Sequence, residues 1–116
     1  MNDELQYNVL KHLQANPQAS QRELARALGI SLGRTNHCVR AVIERGWVKA
    51  QNFRRSNNKL AYAYLLTPEG IEQKARILAR FLKRKEAEYL ALQAELEQLT
   101  AEAKAEGLLD PETAKP

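Results

Sequence analysis

Ser20-Gln21-Arg22-Glu23-Leu24-Ala25-Arg26-Ala27-Leu28-Gly29-Ile30-Ser31-Leu32-Gly33-Arg34-Thr35-Asn36-His37-Cys38-Val39-Arg40 is the stretch that decides the fold. Ser20 and Glu23 stand at the S-x-x-E spacing of a capping box, so a helix opens there. Leu24, Ala25 and Leu28 recur at helical spacing and form its buried face. Gly29 sits where a helix end calls for a left-handed residue. Ile30 plugs the core between helices, and Ser31 is placed to cap the next one, Leu32 to Arg45, which stops at Gly46. In that second helix Thr35, Cys38, Val39, Val42 and Ile43 point inward. Leu32, Gly33, Arg34, Asn36, His37 and Arg40 are left facing out. Two short helices about a glycine turn, the second with a polar outer face, suit a helix laid in a DNA groove.

The flanks complete a small domain. Upstream, a helix runs from about Asp3 to Ala15 with Leu5, Val9, Leu10 and Leu13 on one side; Asn2 or Asp3 caps it and Asn16-Pro17 stops it. Downstream, the segments Trp47–Phe53 and Leu60–Leu66 carry strand formers. They are joined by Arg54-Arg55-Ser56-Asn57-Asn58-Lys59, with Asn57-Asn58 as the turn tip. Thr67-Pro68-Glu69-Gly70 then starts another helix: a threonine cap, proline at the first position and an acid at the positive end. It continues to about Glu106, and Gly107 with Asp110-Pro111 closes it. Roughly 39 residues at about 1.5 Å each give a length near 58 Å. The expected architecture is mainly α with a small β-hairpin (α+β). A winged helix-turn-helix domain spans 1–67, a long coiled-coil-like helix 68–106 and a flexible tail 107–116.

The long helix carries an apolar stripe. Ile71, Ala75, Leu78, Leu82, Lys85, Tyr89, Leu92, Leu96, Leu99 and Ala103 alternate spacings of four and three, and only Lys85 is not apolar. A seam that outruns its own domain is buried against something, and the usual partner is a second copy. Leu78, Leu82, Tyr89, Leu92, Leu96 and Leu99 are therefore the dimerisation candidates. Ile71, Ala75 and Leu78 fit packing on the chain's own domain equally well. The flanking charges leave helix orientation, parallel or antiparallel, open.

Charge and composition narrow the function. The net charge is +4 over 116 residues, but residues 1–67 hold ten Lys/Arg and four Asp/Glu, a net +6, and residues 68–116 hold eight and ten, a net −2. The basic excess sits where a nucleic acid would be read, as attraction to phosphates requires. No apolar run of about 18 residues exists to span a bilayer, and the acidic Met1-Asn2-Asp3-Glu4 start lacks a secretory pattern. The single cysteine rules out an internal disulfide and fits a reducing compartment. The expected setting is cytoplasmic and nucleoid-associated, with no membrane partner. Two histidines and one cysteine show no metal-ligand spacing. With no phosphate loop or nucleophile elbow either, neither an enzyme nor a cofactor is expected.

The DNA contacts expected from residue type follow. Arg34, near the start of the recognition helix, can bond guanine O6 and N7 together, and Asn36 can read adenine in the same bidentate way. His37 can donate to a base or phosphate, and Gly33 lets the backbone approach. Ser31 and Thr35 hydroxyls, with Arg40 one turn on, suit phosphates or base edges. Gln21 and Arg22 at the preceding helix start are phosphate anchors. Arg54, Arg55, Asn57 and Lys59 at the hairpin tip straddle the backbone or enter the minor groove. The bases from Lys74 to Lys85 are explained by solvation. The partner is double-stranded DNA, bound by a homodimer. The rival from another class is a winged-helix protein-interaction adaptor with a coiled-coil arm.

Three runs resemble the winged-helix domain of MarR-type (multiple-antibiotic-resistance) transcriptional regulators: Ser20-x-x-Glu23-Leu24-Ala25-x-x-Leu28-Gly29-Ile30-Ser31, Val42-x-x-x-Gly46-Trp47-Val48 and Leu65-Leu66-Thr67-Pro68-Glu69-Gly70. Ile30-Ser31-Leu32-Gly33-Arg34-Thr35-Asn36 and Phe81-Leu82-Lys83-Arg84-Lys85 resemble a short bacterial subgroup associated with exopolysaccharide gene clusters. The resemblance implies a homodimeric repressor or activator on a pseudo-palindromic operator. Typical members carry an extra helix before the winged domain that helps form the dimer and an effector pocket. Here the winged domain begins at about residue 3, so the long helix is expected to supply dimerisation alone, and no effector-binding residues carry over.

Overall fold

The computed structural model describes residues 2–54 and 60–108. In chain order its elements are α1 (Asp3–Ala15), α2 (Gln21–Leu28), α3 (Leu32–Glu44), β1 (Val48–Arg54), β2 (Leu60–Leu66) and α4 (Pro68–Ala105). They make two compact units, one through Phe81 and one from Leu82 on. The Asn57-Asn58 turn and the Asp110-Pro111 stop lie outside the described residues.

Each helix of the first unit starts on a side-chain cap. Asn2 Oδ1 accepts from Leu5 N–H at 2.7 Å, Ser20 Oγ from Glu23 N–H at 3.1 Å and Ser31 Oγ from Arg34 N–H at 3.1 Å. Thr67 Oγ1 accepts from Gly70 N–H at 3.0 Å and donates to Gly46 O at 2.6 Å. Each cap satisfies an amide the helix cannot, which is worth about 1 kcal/mol. Gly29, at φ 68°, turns the chain out of α2, and Ile30 N–H donates to Ala25 O at 3.1 Å to close that end. The third helix ends one residue earlier than its composition suggests, at Glu44 with Arg45 as cap, and β1 begins at Val48 rather than Trp47.

One core joins all the elements of this unit. Val9, Leu10 and Leu13 of α1 meet Leu24 of α2, Cys38, Val39 and Val42 of α3, Val48 and Tyr64 of the hairpin, and Ile77 of α4. The hairpin is antiparallel, in register from Val48 opposite Leu66 to Arg54 opposite Leu60. Two strands alone are marginal in water. Here Val48 and Tyr64 are sunk in the core, and Tyr64 N–H donates to Pro17 O at 2.8 Å, tying β2 to the α1–α2 connection. Trp47 is half-buried, with the Arg45 guanidinium 5.1 Å above its ring.

The start of α4 corrects the sequence reading. Ile77 is fully buried, whereas Ile71 is 51% and Leu78 41% exposed. Gly70, Lys74, Ile77 and Phe81 share the face turned to the domain, at helical spacing. The stripe of Ile71, Ala75 and Leu78 lies about 100° further round the helix. Gly70 allows the approach, since a Cβ there would lie 1.9 Å from the Trp47 carbonyl oxygen. Phe81 packs on Tyr7, ring centroids 6.3 Å apart. Lys74 Nζ donates to Gln14 Oε1 at 2.7 Å, and Arg80 pairs with Asp3 at 3.3 Å. Two of the bases assigned to solvation thus clamp α4 to α1.

In the second unit Leu82, Tyr89, Leu92, Leu96 and Leu99 are each more than half exposed. The helix closes after Ala105, where Leu108 N–H donates to Ala103 O at 2.9 Å. Among the described residues no helix is long and apolar enough to cross a membrane.

Candidate nucleic-acid interface

The outer side of α3 is built by the inward anchoring of its other side. Thr35, Cys38, Val39 and Val42 are buried, which fixes the rotation of the helix. Leu32, Gly33, Arg34, Asn36, His37 and Arg40 are consequently exposed. Gly33, Asn36, His37 and Arg40 line a shallow groove along the helix together with Ala41 and Glu44. A second groove opens between the starts of α2 and α3, lined by Ser20, Gln21, Arg22, Leu32, Gly33 and Asn36. The two grooves bring Gln21, Arg22, Gly33, Asn36, His37 and Arg40 together. Ser31 and Arg34 are exposed but line neither groove, and Arg34 lies about 160° round α3 from Asn36.

One candidate is removed. Thr35 is fully buried, and its hydroxyl donates to Ser31 O at 2.8 Å. It has neither the surface nor a spare proton for phosphate or base. The reason is its position: three and four residues before Cys38 and Val39, it lies on the core stripe, and burial of a hydroxyl requires the partner it has found.

Sequence reasoning missed a bridge. Asn36 Nδ2 donates to Gln21 Oε1 at 3.1 Å, and Gln21 Nε2 reaches Tyr64 Oη at 3.5 Å. Gln21 thus links α2, α3 and β2, and it holds the Asn36 amide in one orientation. The second Nδ2 hydrogen and Oδ1 of Asn36 stay available, which is what a bidentate contact with adenine needs. No spacing rule joins positions 21, 36 and 64. Tyr62, 57% exposed with its ring 6.3 Å from that of Tyr64, is a further hairpin residue that no local pattern places outward.

Arg54 ends β1; Arg55, Asn57 and Lys59 lie outside the described residues. Cys38 is buried under the interface. Desolvation pushes its thiol above the ordinary value of 9.0, with the Arg34 charge acting weakly in the opposite sense. An inert core thiol is the chemistry expected of it.

Comparisons with known proteins agree with this geometry. Residues 2–49 match the family model described as winged helix-turn-helix DNA-binding. No curated protein matches the sequence significantly. Among solved structures, the chain is similar to the PcaV transcriptional regulator from Streptomyces coelicolor, at 26% identity and TM-score 0.58, over 90% of this chain and 79% of that one. It is also similar to a MarR protein from Peptoclostridium difficile, at 18% identity and TM-score 0.57, over 87% and 70% of the two chains. A third is MepR, a transcription regulator of the Staphylococcus aureus multidrug efflux pump MepA, at 19% identity and TM-score 0.54, over 87% and 74%. Residues 2–49 thus match a winged helix-turn-helix DNA-binding family, and the chain shares the fold of the PcaV regulator and of the MarR protein.

Proposed function

We propose that the protein is a homodimeric, operator-binding transcriptional regulator that lays α3 in the major groove. The carrying observation is the two-sidedness of α3: a fully packed inner stripe, and an outer face on which Arg34, Asn36, His37 and Arg40 are all exposed. Arg34 reads guanine and Asn36, steadied by Gln21, reads adenine. Gly33 admits the backbone to close range. Ser31, His37, Arg40 and Arg22 hold phosphates, and Arg54, Arg55, Asn57 and Lys59 meet the flanking backbone or minor groove. The exposed stripe of α4 supplies self-association. Half-sites about 10 base pairs apart, or a multiple, follow from a dimer that presents α3 from each copy. The resemblance of Ile30–Asn36 and Phe81–Lys85 to the short subgroup favours exopolysaccharide biosynthesis genes as targets, in a bacterial cytoplasm.

A gel-shift titration against DNA from the gene's own neighbourhood, at two salt concentrations, tests this. Specific binding that weakens steeply with salt is expected, because each phosphate contact releases a counterion. Weak binding to every DNA, indifferent to salt, would favour the adaptor reading instead.

A further inference from the structure

The dimer reading leaves the direction of the paired helices undecided, and the side chains of α4 decide it. We propose that α4 pairs with α4 of a second copy in antiparallel fashion, centred at residue 87. The inference rests on the self-association proposed above and adds its geometry.

Charge is the first observation. From Pro68 to Lys85 the helix carries six basic and two acidic residues, a net +4; from Glu86 to Ala105 it carries five acidic residues and one lysine, a net −4. The helix dipole does not account for this division. Its influence fades within a turn of each end, and the two terminal turns already follow it with Glu69 and Lys104. Clustered like charges also repel along their own helix. A parallel in-register pair would set +4 against +4 and −4 against −4. An antiparallel pair sets each basic half against an acidic one.

The stripe supplies a second, independent observation, because reversal about residue 87 matches every layer. Ala75 falls opposite Leu99 of the second copy, and Ile71 opposite its Ala103, so each small residue meets a large one. Leu82 meets Leu92 and Leu78 meets Leu96. The one charged member, Lys85, falls opposite Tyr89, whose ring can receive an ammonium and its methylene stem. The Glu86 and Glu88 pairs that meet at the axis flank that same lysine, which already reaches Glu88 of its own helix at 3.2 Å. Parallel pairing would stack Lys85 on Lys85 and would leave two alanine-on-alanine layers underfilled. Ile71, Leu78, Leu82, Tyr89, Leu92, Leu96 and Leu99 are all exposed in the single chain, so the surface is open to receive this partner.

Chemical cross-linking of the full chain discriminates between the directions. Leu78→Cys and Leu96→Cys, both at exposed positions, are prepared separately, one carrying an affinity tag, then mixed and treated with a short bis-maleimide. The mixed 78–96 cross-link should form several-fold more efficiently than the 96–96 cross-link of Leu96→Cys alone. Spin labels on Ala101→Cys should lie about 42 Å apart along the helix axis, set by 28 residues at 1.5 Å each. A parallel pair would give an efficient 96–96 cross-link and labels separated by roughly one helix-to-helix spacing, about 10 Å, plus the label arms; either result overturns the proposal. A monomeric mass by light scattering with no cross-link overturns it as well. The salt-titrated gel shift reports on DNA binding separately, so failure here is distinguishable from failure of the regulator reading.

Discussion

The two units of this chain treat apolar surface in opposite ways. In the unit through Phe81, Val9, Leu10, Leu13, Cys38 and Ile77 are fully buried, and among the described residues no buried side-chain polar atom lacks a hydrogen-bond partner. In the unit from Leu82 on, Tyr89 is 65% and Leu96 55% exposed. The first is a finished core that frees the outer side of α3 for polar work. The second leaves its apolar stripe uncovered in the single chain, and the dimer proposed above would bury it. Both kinds of face occur on one helix: Ile77 belongs to the finished core, and Ile71, six residues earlier, to the uncovered stripe.

The contrast can be broken by substitution. Ile77→Ala should cost about 2–5 kcal/mol of folding stability, because it leaves a cavity in a fully buried site; chemical denaturation would show it. Leu96→Ala should leave the winged unit's fold intact by circular dichroism and weaken self-association by about 1.5–3 kcal/mol, read by sedimentation at several concentrations. Equal damage to the fold from both variants would abolish the distinction between the units.

Glycines sharpen the same division. Gly70→Ala drives a methyl into the Trp47 carbonyl and should destabilise by about 1–3 kcal/mol. Gly33→Ala meets open space in a helix and should stabilise by roughly 0.5–1 kcal/mol. DNA affinity should nevertheless fall, since the added methyl occupies the approach surface. A Gly33→Ala protein that is both more stable and undiminished in binding would remove Gly33 from the interface.

The smallest effect concerns Cys38. Its raised thiol value means the fold favours the neutral form. That contribution is whole below pH 9.0 and is lost as pH climbs toward the raised value. Alkylation of the native protein at neutral pH should be far slower than that of a free thiol, and reaction at the free rate would show the site to be open.

Local signals wrote most of the fold plainly. Ser20, Ser31 and Thr67 cap where hydroxyls at those spacings should, and Gly29 turns where only a residue tolerant of positive φ sits easily. The inward stripe of α3 followed from period alone. What escaped was tertiary. Ile77 lies one position before Leu78 of the heptad stripe, and only the packing of α1 decides which of the two faces inward. Thr35 was legible as a core position by period and as a hydroxyl by chemistry, and burial settled the conflict. The Gln21–Asn36–Tyr64 bridge joins three elements, so no local pattern carries it. The role of Lys74 and Arg80 depends likewise on Gln14 and Asp3 being brought across from α1.

Binding of wild-type and Arg34→Ala protein to a panel of operators substituted one base pair at a time tests the central claim most directly. The base-reading role predicts a loss of about 1–3 kcal/mol on the native operator and relaxed discrimination at a single base pair, with the salt dependence and thermal stability little changed. Undiminished discrimination at every position by the Arg34→Ala protein would contradict it.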